Sequence, residues 1–278
     1  MLVREVSATS SRRFSPFAAV RQTFRDAADN QWFITTALRR DLKSQLGATA
    51  FARWWAFVMP LVPVSAFLAL RLIFAPVDDR LIHPAIYVSV GATLWFLLSD
   101  LVLLPIRAVA KHRSVLSNSR LPLISVVFAS GTNLLFDFLV RAVFTFGAIL
   151  LIFGPVPVEA LLIIPALLPC LMLCLAAGLL LMLLNFVYRD TEQVLTILMR
   201  YLIFVSFVIF PLDRISGFSV LEVANPFGLM VNTLRELLLF GGSQWIHSFG
   251  ILVGTALVLF PLSLLLLYRV EPRIREYL

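Results

Sequence analysis

The sequence predicts an all-α integral membrane protein with six transmembrane helices, an N-terminal interfacial helix, a short helix between spans two and three, and short outer re-entrant helices between spans five and six. Three observations predict it. The 278-residue chain is 60% hydrophobic and 14% charged, with a mean hydropathy of +0.93, whereas soluble domains run near half apolar and a quarter charged. Its apolar residues gather in runs of about 18 or more, enough to cross a bilayer. The runs are continuous rather than alternating, which indicates helices and not the strands of a membrane barrel.

Six runs qualify: 54–74, 84–106, 123–153, 160–187, 194–212 and 248–268. The third and fourth exceed what a bilayer needs, an excess that tilt absorbs. Residues 1–34 read as a cytoplasmic N-terminal segment, 35–53 as an amphipathic interfacial helix and 54–278 as the transmembrane domain. The first 50 residues are polar and basic, with no early apolar stretch of a signal peptide.

Orientation follows from the basic residues. With the N-terminus inside, nine Lys/Arg up to Arg53 lie inside, joined by Arg107, Lys111, Arg113, Arg120, Arg189, Arg269, Arg273 and Arg275. The other side receives Arg80, Arg214 and Arg235. Both termini are therefore expected in the cytoplasm. The net charge of +7 is mostly positive-inside bias, and no nucleic-acid partner is inferred from it.

In the stretch before the first run, Leu38, Leu42 and Leu46 recur at four-residue spacing while Arg39, Arg40 and Lys43 fall on other faces. That is the pattern of a helix lying in the membrane interface, followed by Trp54 and Trp55 where an aromatic anchor belongs. It reads either as an orientation anchor or as a ramp that meets an anionic lipid-linked substrate. Between the second and third runs lies the island "RAVAKHRSVLSNSRLP", residues 107–122, which carries Arg107, Lys111, His112, Arg113 and Arg120 and no acid.

Arg71, Asp100, Asp137, Arg141 and Arg200 fall within apolar runs. Each costs roughly 2.5–3.5 kcal/mol at a helix centre, so each is expected to face protein or water. Asp137 precedes Arg141 by four residues, the favourable order for an intrahelical ion pair. Arg71 is near enough to an interface to snorkel, and Arg200, beside Tyr201, is placed to line a polar cavity. Phe204 and Phe207 read as packing residues or as aromatic faces for sugar rings. In the outer segment 213–247, Asn225-Pro226 breaks a helix-like stretch. Two short helices dipping into the outer leaflet, or a simple cap, fit it. Gly250 and Gly254 form a small-xxx-small pair, weak as a dimer signal.

Enzymatic signatures are missing. There is no GxxxxGK[ST] loop for ATP, no metal-ligand spacing, and no nucleophile elbow or intramembrane HExxH. Cys170 and Cys174 sit four apart on one helix side and read as packing residues. No metal, cofactor or catalytic residue is expected in this chain.

In this order the residues resemble the polysaccharide-exporting permeases of the type-2 ABC transporters, the membrane subunits that export capsular polysaccharide, O-antigen or teichoic acid. The resemblance covers about residues 35–278. It rests on "LRRDLKSQLGATAFARWWAFVMP", "YVSVGATLWFLLSD", "AVAKHRSVLSNSRLPLISVVF", "LLNFVYRDTEQVLTILMRYLIFVSFVIFPLDRI" and "ANPFGLMVNTLRELLL". The most specific part is Asn185 with Arg189-Asp190, followed by the phenylalanine-rich fifth run and Asn225-Pro226.

The resemblance implies a homodimer in the bacterial inner membrane with two ATP-binding subunits, which hold the ATP and magnesium. The island then becomes a cytoplasmic coupling helix that contacts the ATPase through Arg107, Val109, Lys111, His112, Arg113, Val115 and Leu116. Arg39, Arg40 and Lys43 meet the lipid-linked glycan as it enters. Trp55, Arg71, Arg200, Tyr201, Phe204 and Phe207 line a path between the two copies. The resemblance leaves open whether periplasmic and outer-membrane export proteins join the path. A type-2 permease for a small drug or lipid, and a non-transporting membrane scaffold, are the alternatives.

Overall fold

The computed structural model describes residues 15–47, 49–74, 84–152, 154, 158–209, 225–239 and 245–275. Among these residues the chain is helical and holds no strand. The helices are α1 (Pro16–Asp29), α2 (Gln31–Leu46), α3 (Ala50–Val58), α4 (Leu61–Phe74), α5 (Pro84–Lys111) and α6 (Arg113–Asn118). They continue as α7 (Leu123–Ser130), α8 (Thr132–Ile152), a 3₁₀ turn (Val158–Leu162), α9 (Ile163–Val187), α10 (Thr191–Val205), α11 (Pro226–Leu239) and α12 (Trp245–Ile274).

Among the described residues, four stretches are long and apolar enough to cross a membrane: Ile86–Lys111, Leu123–Leu151, Ala160–Val187 and Trp245–Ile274. At a rise of 1.5 Å per residue, helices of this length exceed the roughly 30 Å hydrocarbon core. They correspond to the second, third, fourth and sixth apolar runs. The second reaches Lys111 rather than 106, and the sixth runs from Trp245 to Ile274 rather than 248–268.

The first and fifth runs form shorter helices. Residues 54–74 are divided at Met59–Pro60 into α3 and α4, because Pro60 has no N–H to continue the helical ladder. The fifth helix starts at Thr191 and stops at Val205. Beyond it the chain turns, and Phe207 takes a left-handed φ of 56°, a conformation disfavoured for a residue with a Cβ. Residues 210–212 lie outside the described residues.

Helix α5 is the central element, packed against α4, α7, α8, α9, α10 and α11. Its inward residues divide between two cores. Ile86, Trp95, Leu98 and Val102 join α9, α11 and the first half of α12. Ile106, Ala108 and Val109 join α7, the end of α9 and the last turns of α12. Helix α9 crosses α5 closely at Gly178, where a Cβ would lie 2.6 Å from the Val102 carbonyl oxygen and 3.0 Å from the Pro105 ring. Only glycine allows that approach. Cys170 and Cys174 are free and buried in the first core.

Two elements depart from expectation near the N-terminus. Residues 16–29 form a helix that packs against α12, α7 and α2 and buries Ala19, Thr23 and Asp26. Helix α2 begins at Gln31 and ends before Gly47, whose φ of 58° closes it. Its buried positions are Ala37 and Asp41, while Leu42 is exposed. The inward stripe is therefore one position N-terminal to the leucine stripe read from the sequence.

Candidate functional site

At the end of the bundle that carries the island, a cavity of about 240 Å³ opens between α5 and the α7–α8 pair. Asp100, Leu104, Arg107, Ala108 and Lys111 line it on one side, and Ser130, Asn133, Leu134 and Asp137 on the other. The helical repeat explains the lining: on α5, residues seven and eleven beyond Asp100 return to the same face. Running antiparallel, α7 and α8 place Asp137 opposite Asp100, and Ser130 opposite Lys111.

The charges are matched across helices. Arg107 lies between Asp100 on its own helix (Nη1 to Oδ1, 3.9 Å) and Glu192 of α10 (Nε to Oε1, 3.5 Å). Lys111 donates to Asp41 of α2 at 2.5 Å, and Arg40 stands 3.5 Å from the same carboxylate. Gln45 of α2 donates to Asp137 at 3.1 Å. The cavity wall thus ties α2, α5, α8 and α10 together through side chains that would be costly in lipid.

Asp137 and Arg141 do not form the expected ion pair. Arg141 turns to the Pro60 carbonyl oxygen, 2.9 Å away, and its guanidinium lies 4.7 Å from the Phe96 ring centre. At this buried position the carbonyl oxygen and the ring face both meet the positive charge of the guanidinium.

The island is partly a continuation of α5 and partly α6. Arg107, Val109 and Lys111 belong to the last turns of α5, and only Arg113, Val115 and Leu116 lie on the separate short helix. Val109 and Leu116 do not offer apolar contacts to a partner; they are buried in the second core. His112, at the corner, is 3% exposed. Its ring meets Phe33 of α2 edge-on at 6.0 Å, and its Nδ1 lies 3.2 Å from the Ala108 carbonyl and 3.3 Å from Ser130 Oγ. Burial, the largest cause, lowers its pKa from 6.5; the Ala108 carbonyl opposes this, Lys111 and Arg40 add to it, and Asp41 opposes it. The imidazole is therefore held neutral near pH 7. Outward, α6 and its flanks expose Lys111, Arg113, Ser114, Ser117, Asn118 and Arg120, with Val115 half-buried.

The far side of this corner is locked by the end of α12. Arg275 donates to the carbonyl oxygens of Ser119 and Leu121 and, at 2.7 Å, to Glu271. Glu271 also accepts the N–H of Leu123 at 3.1 Å, so its carboxylate satisfies a free donor at the start of α7.

Arg39, Arg40 and Lys43 are exposed on α2. Trp55 is 39% exposed on α3 and meets Trp54 at 5.3 Å. Arg71 lies in α4, with its side chain outside the described residues. Arg200, Tyr201 and Phe204 are exposed along the outward face of α10, opposite the buried Leu195, Met199 and Ile203. Arg200 therefore faces outward and is not part of the cavity beside Asp100. Phe204 touches Phe67 of α4, their ring centres 6.0 Å apart. Phe207 is buried in the turn beyond α10 and does not share that face.

The segment read as outer and re-entrant is described from Asn225 to Leu239. Asn225 starts a helix, accepting the N–H groups of Phe227 and Gly228 at 3.1 and 3.3 Å as an N-cap, with Pro226 at the first helical position; whether it also ends a preceding helix falls on residues outside those described. Arg235, 3% exposed, lies 3.7 Å over the Tyr87 ring and donates to the Phe207 and Val208 carbonyls, holding the turn after α10. Residues 213–224 and 240–244 lie outside the described residues.

Sequence reading missed α1. Asp26 accepts a 2.7 Å hydrogen bond from the Tyr268 hydroxyl on α12, and its backbone carbonyl accepts from Ser125. The available signal was the Ala19, Thr23, Asp26 spacing, a small, hydrogen-bonding stripe at helical repeat. The chain matches no family model and no curated protein.

Proposed function

We propose that this chain is the membrane subunit of an ATP-driven exporter of the type-2 ABC class, moving a lipid-linked polysaccharide of the capsule or O-antigen kind across the bacterial inner membrane. It acts as a homodimer with two ATP-binding subunits on the cytoplasmic side. In this reading α3 with α4 make the first of six spans, and α10 belongs to the fifth.

The observation that carries this reading is the island corner. A lever that passes motion from a separate motor needs a free outer face and a rigid attachment to the spans. Helix α6 has both: its outer residues are exposed and, with Arg113 and the flanking Lys111 and Arg120, carry basic charge, while His112, Leu116 and the Arg275–Glu271 contacts fix it to α5, α7 and α12. Movement of α6 is then movement of two spans, not of a slack loop. The charged cavity behind it carries the displacement to α2 and α10.

The path lies between two copies. Helices α4 and α10 touch through Phe67 and Phe204 and turn Tyr201 and Arg200 outward, so a second copy facing this side encloses a conduit of aromatic and polar groups. The anionic linker of the substrate meets Arg39, Arg40 and Lys43 first, and ATP-driven closure of the partner threads the glycan outward.

Tagged chain purified in mild detergent from its native host tests the reading. An ATP-binding subunit is expected to accompany it in equal amount, and Ser117→Cys on α6 to cross-link to that subunit. Purification of this chain alone, or vesicles that move polymer with it alone, would defeat the proposal. In the assembled complex, Arg39→Ala/Arg40→Ala/Lys43→Ala should cut polymer transport at least tenfold and leave ATPase assembly intact.

A further inference from the structure

We propose that α1 is a membrane-surface element: its outward face, built from Phe17, Arg21, Phe24, Arg25 and Ala28, beds in the headgroup layer of an anionic lipid surface. This places residues 16–29 against lipid rather than free in the cytoplasm. It rests on the chain being a membrane protein and is independent of what the chain transports.

Phe17, Trp32 and Phe24 are the three most exposed aromatic side chains among the described residues, at 82%, 76% and 71%. On α1 they are not scattered. Ala19, Thr23 and Asp26 form the buried stripe; at about 100° per residue, Phe17, Arg21, Phe24 and Ala28 fall on the opposite face. Arg21 and Arg25 are both exposed, and Asp29, at the flank, is the one exposed acid of the helix. An aromatic and basic face of this kind suits phosphate headgroups, with rings in the interface and guanidinium groups on the anionic oxygens.

Position decides between lipid and water. Asp26 is joined to Ser125 in the first turn of α7 and to Tyr268, more than a turn before the end of α12. Helix α1 therefore lies beside the first turn of α7 and the last turns of α12, not beneath them, and its outward face points sideways at the level of these helix ends. A bilayer presents headgroups there. Trp32 repeats the arrangement on the outward face of α2, beside the exposed Arg39 and Lys43.

A nitroxide at Ala28→Cys in the full chain reports on this face while leaving both phenylalanines in place. Cys170 and Cys174 are 0% and 2% exposed, so the reporter is introduced without removing them. In nanodiscs of phosphatidylethanolamine and phosphatidylglycerol, collisions with a water-soluble nickel chelate should be several-fold rarer than for the same label at Ser117→Cys on α6, and collisions with oxygen more frequent. Arg21→Glu/Arg25→Glu, or phosphatidylcholine in place of phosphatidylglycerol, should move the label toward water. Equal nickel access at both positions overturns the proposal. So does protection indifferent to these charge changes, and so does protection that arises only when an ATP-binding subunit is added, which would assign the face to a protein partner.

Discussion

Arg141 of α8 donates its Nε proton to the carbonyl oxygen of Pro60, 2.9 Å away, at the corner between α3 and α4. The same guanidinium lies over Phe96 of α5. One buried cation thus fastens the corner of the first apolar run to two other helices, and Asp137 is left to Gln45. Arg141→Met should remove this tie and cost about 1.5–3 kcal/mol, the range for hydrogen bonds from a charged group. Arg141→Lys keeps the charge but not the Nε geometry, and should fall between. Melting of the purified chain in detergent measures both, and an unchanged Arg141→Met midpoint would remove the tie from the account of stability.

Glu271 and Arg275 hold the linker between α6 and α7 from the far end of the chain. Glu271→Gln keeps the shape and loses the charge that both Arg275 and the start of α7 use. Amide hydrogen exchange over residues 113–122 should then rise several-fold while the cores of α5 and α9 stay protected. In the proposed exporter the variant should bind its ATPase and hydrolyse ATP, yet transport at least tenfold less. Unchanged exchange in the linker would show that the buried Leu116 alone holds α6.

Length and hydropathy sufficed for the four long helices, because a long apolar run has few alternatives to spanning; residues 160–187 have the same ends in sequence and structure. The first and fifth runs differ where single residues decide. Pro60 breaks one helix, and the turn at Phe207 ends the other. Side-chain direction was the least legible feature. On α2 the buried stripe includes the acid Asp41, whose value inside comes from Lys111, a partner 70 residues away. On the island, Val109 and Leu116 looked available for a partner until the second core claimed them. Helix α1 lacks an apolar run, and its place is set by Asp26 and Tyr268, 242 residues apart. Pairings at that distance leave no periodic trace.

His112 gives stability a pH dependence of known sign. Burial lowers its folded pKa below 6.5, so the unfolded chain binds the proton more readily. Its contribution is complete above pH 6.5 and is lost as pH falls from there toward the folded value, below which the loss is constant. Wild-type melting should therefore decline through the window just under pH 6.5, and His112→Gln should flatten that decline without abolishing folding. Parallel curves for the two proteins would place the acid sensitivity elsewhere.

Gly91 is the counterpart of Arg235. A Cβ at position 91 would press on the Arg235 guanidinium and lie 2.9 Å from the Val208 carbonyl oxygen. The side-chain tip can yield, but the carbonyl belongs to the turn that Arg235 itself holds. Gly91→Ala should destabilise the chain by about 1–3 kcal/mol, as overpacking does, and loosen the turn at Phe207–Ile209. Adding Arg235→Met relieves only the guanidinium contact, so the double variant should cost less than the sum of the single ones. Strict additivity in melting experiments would mean that Gly91 and Arg235 stabilise the turn independently, and that the glycine is required by the Val208 backbone alone.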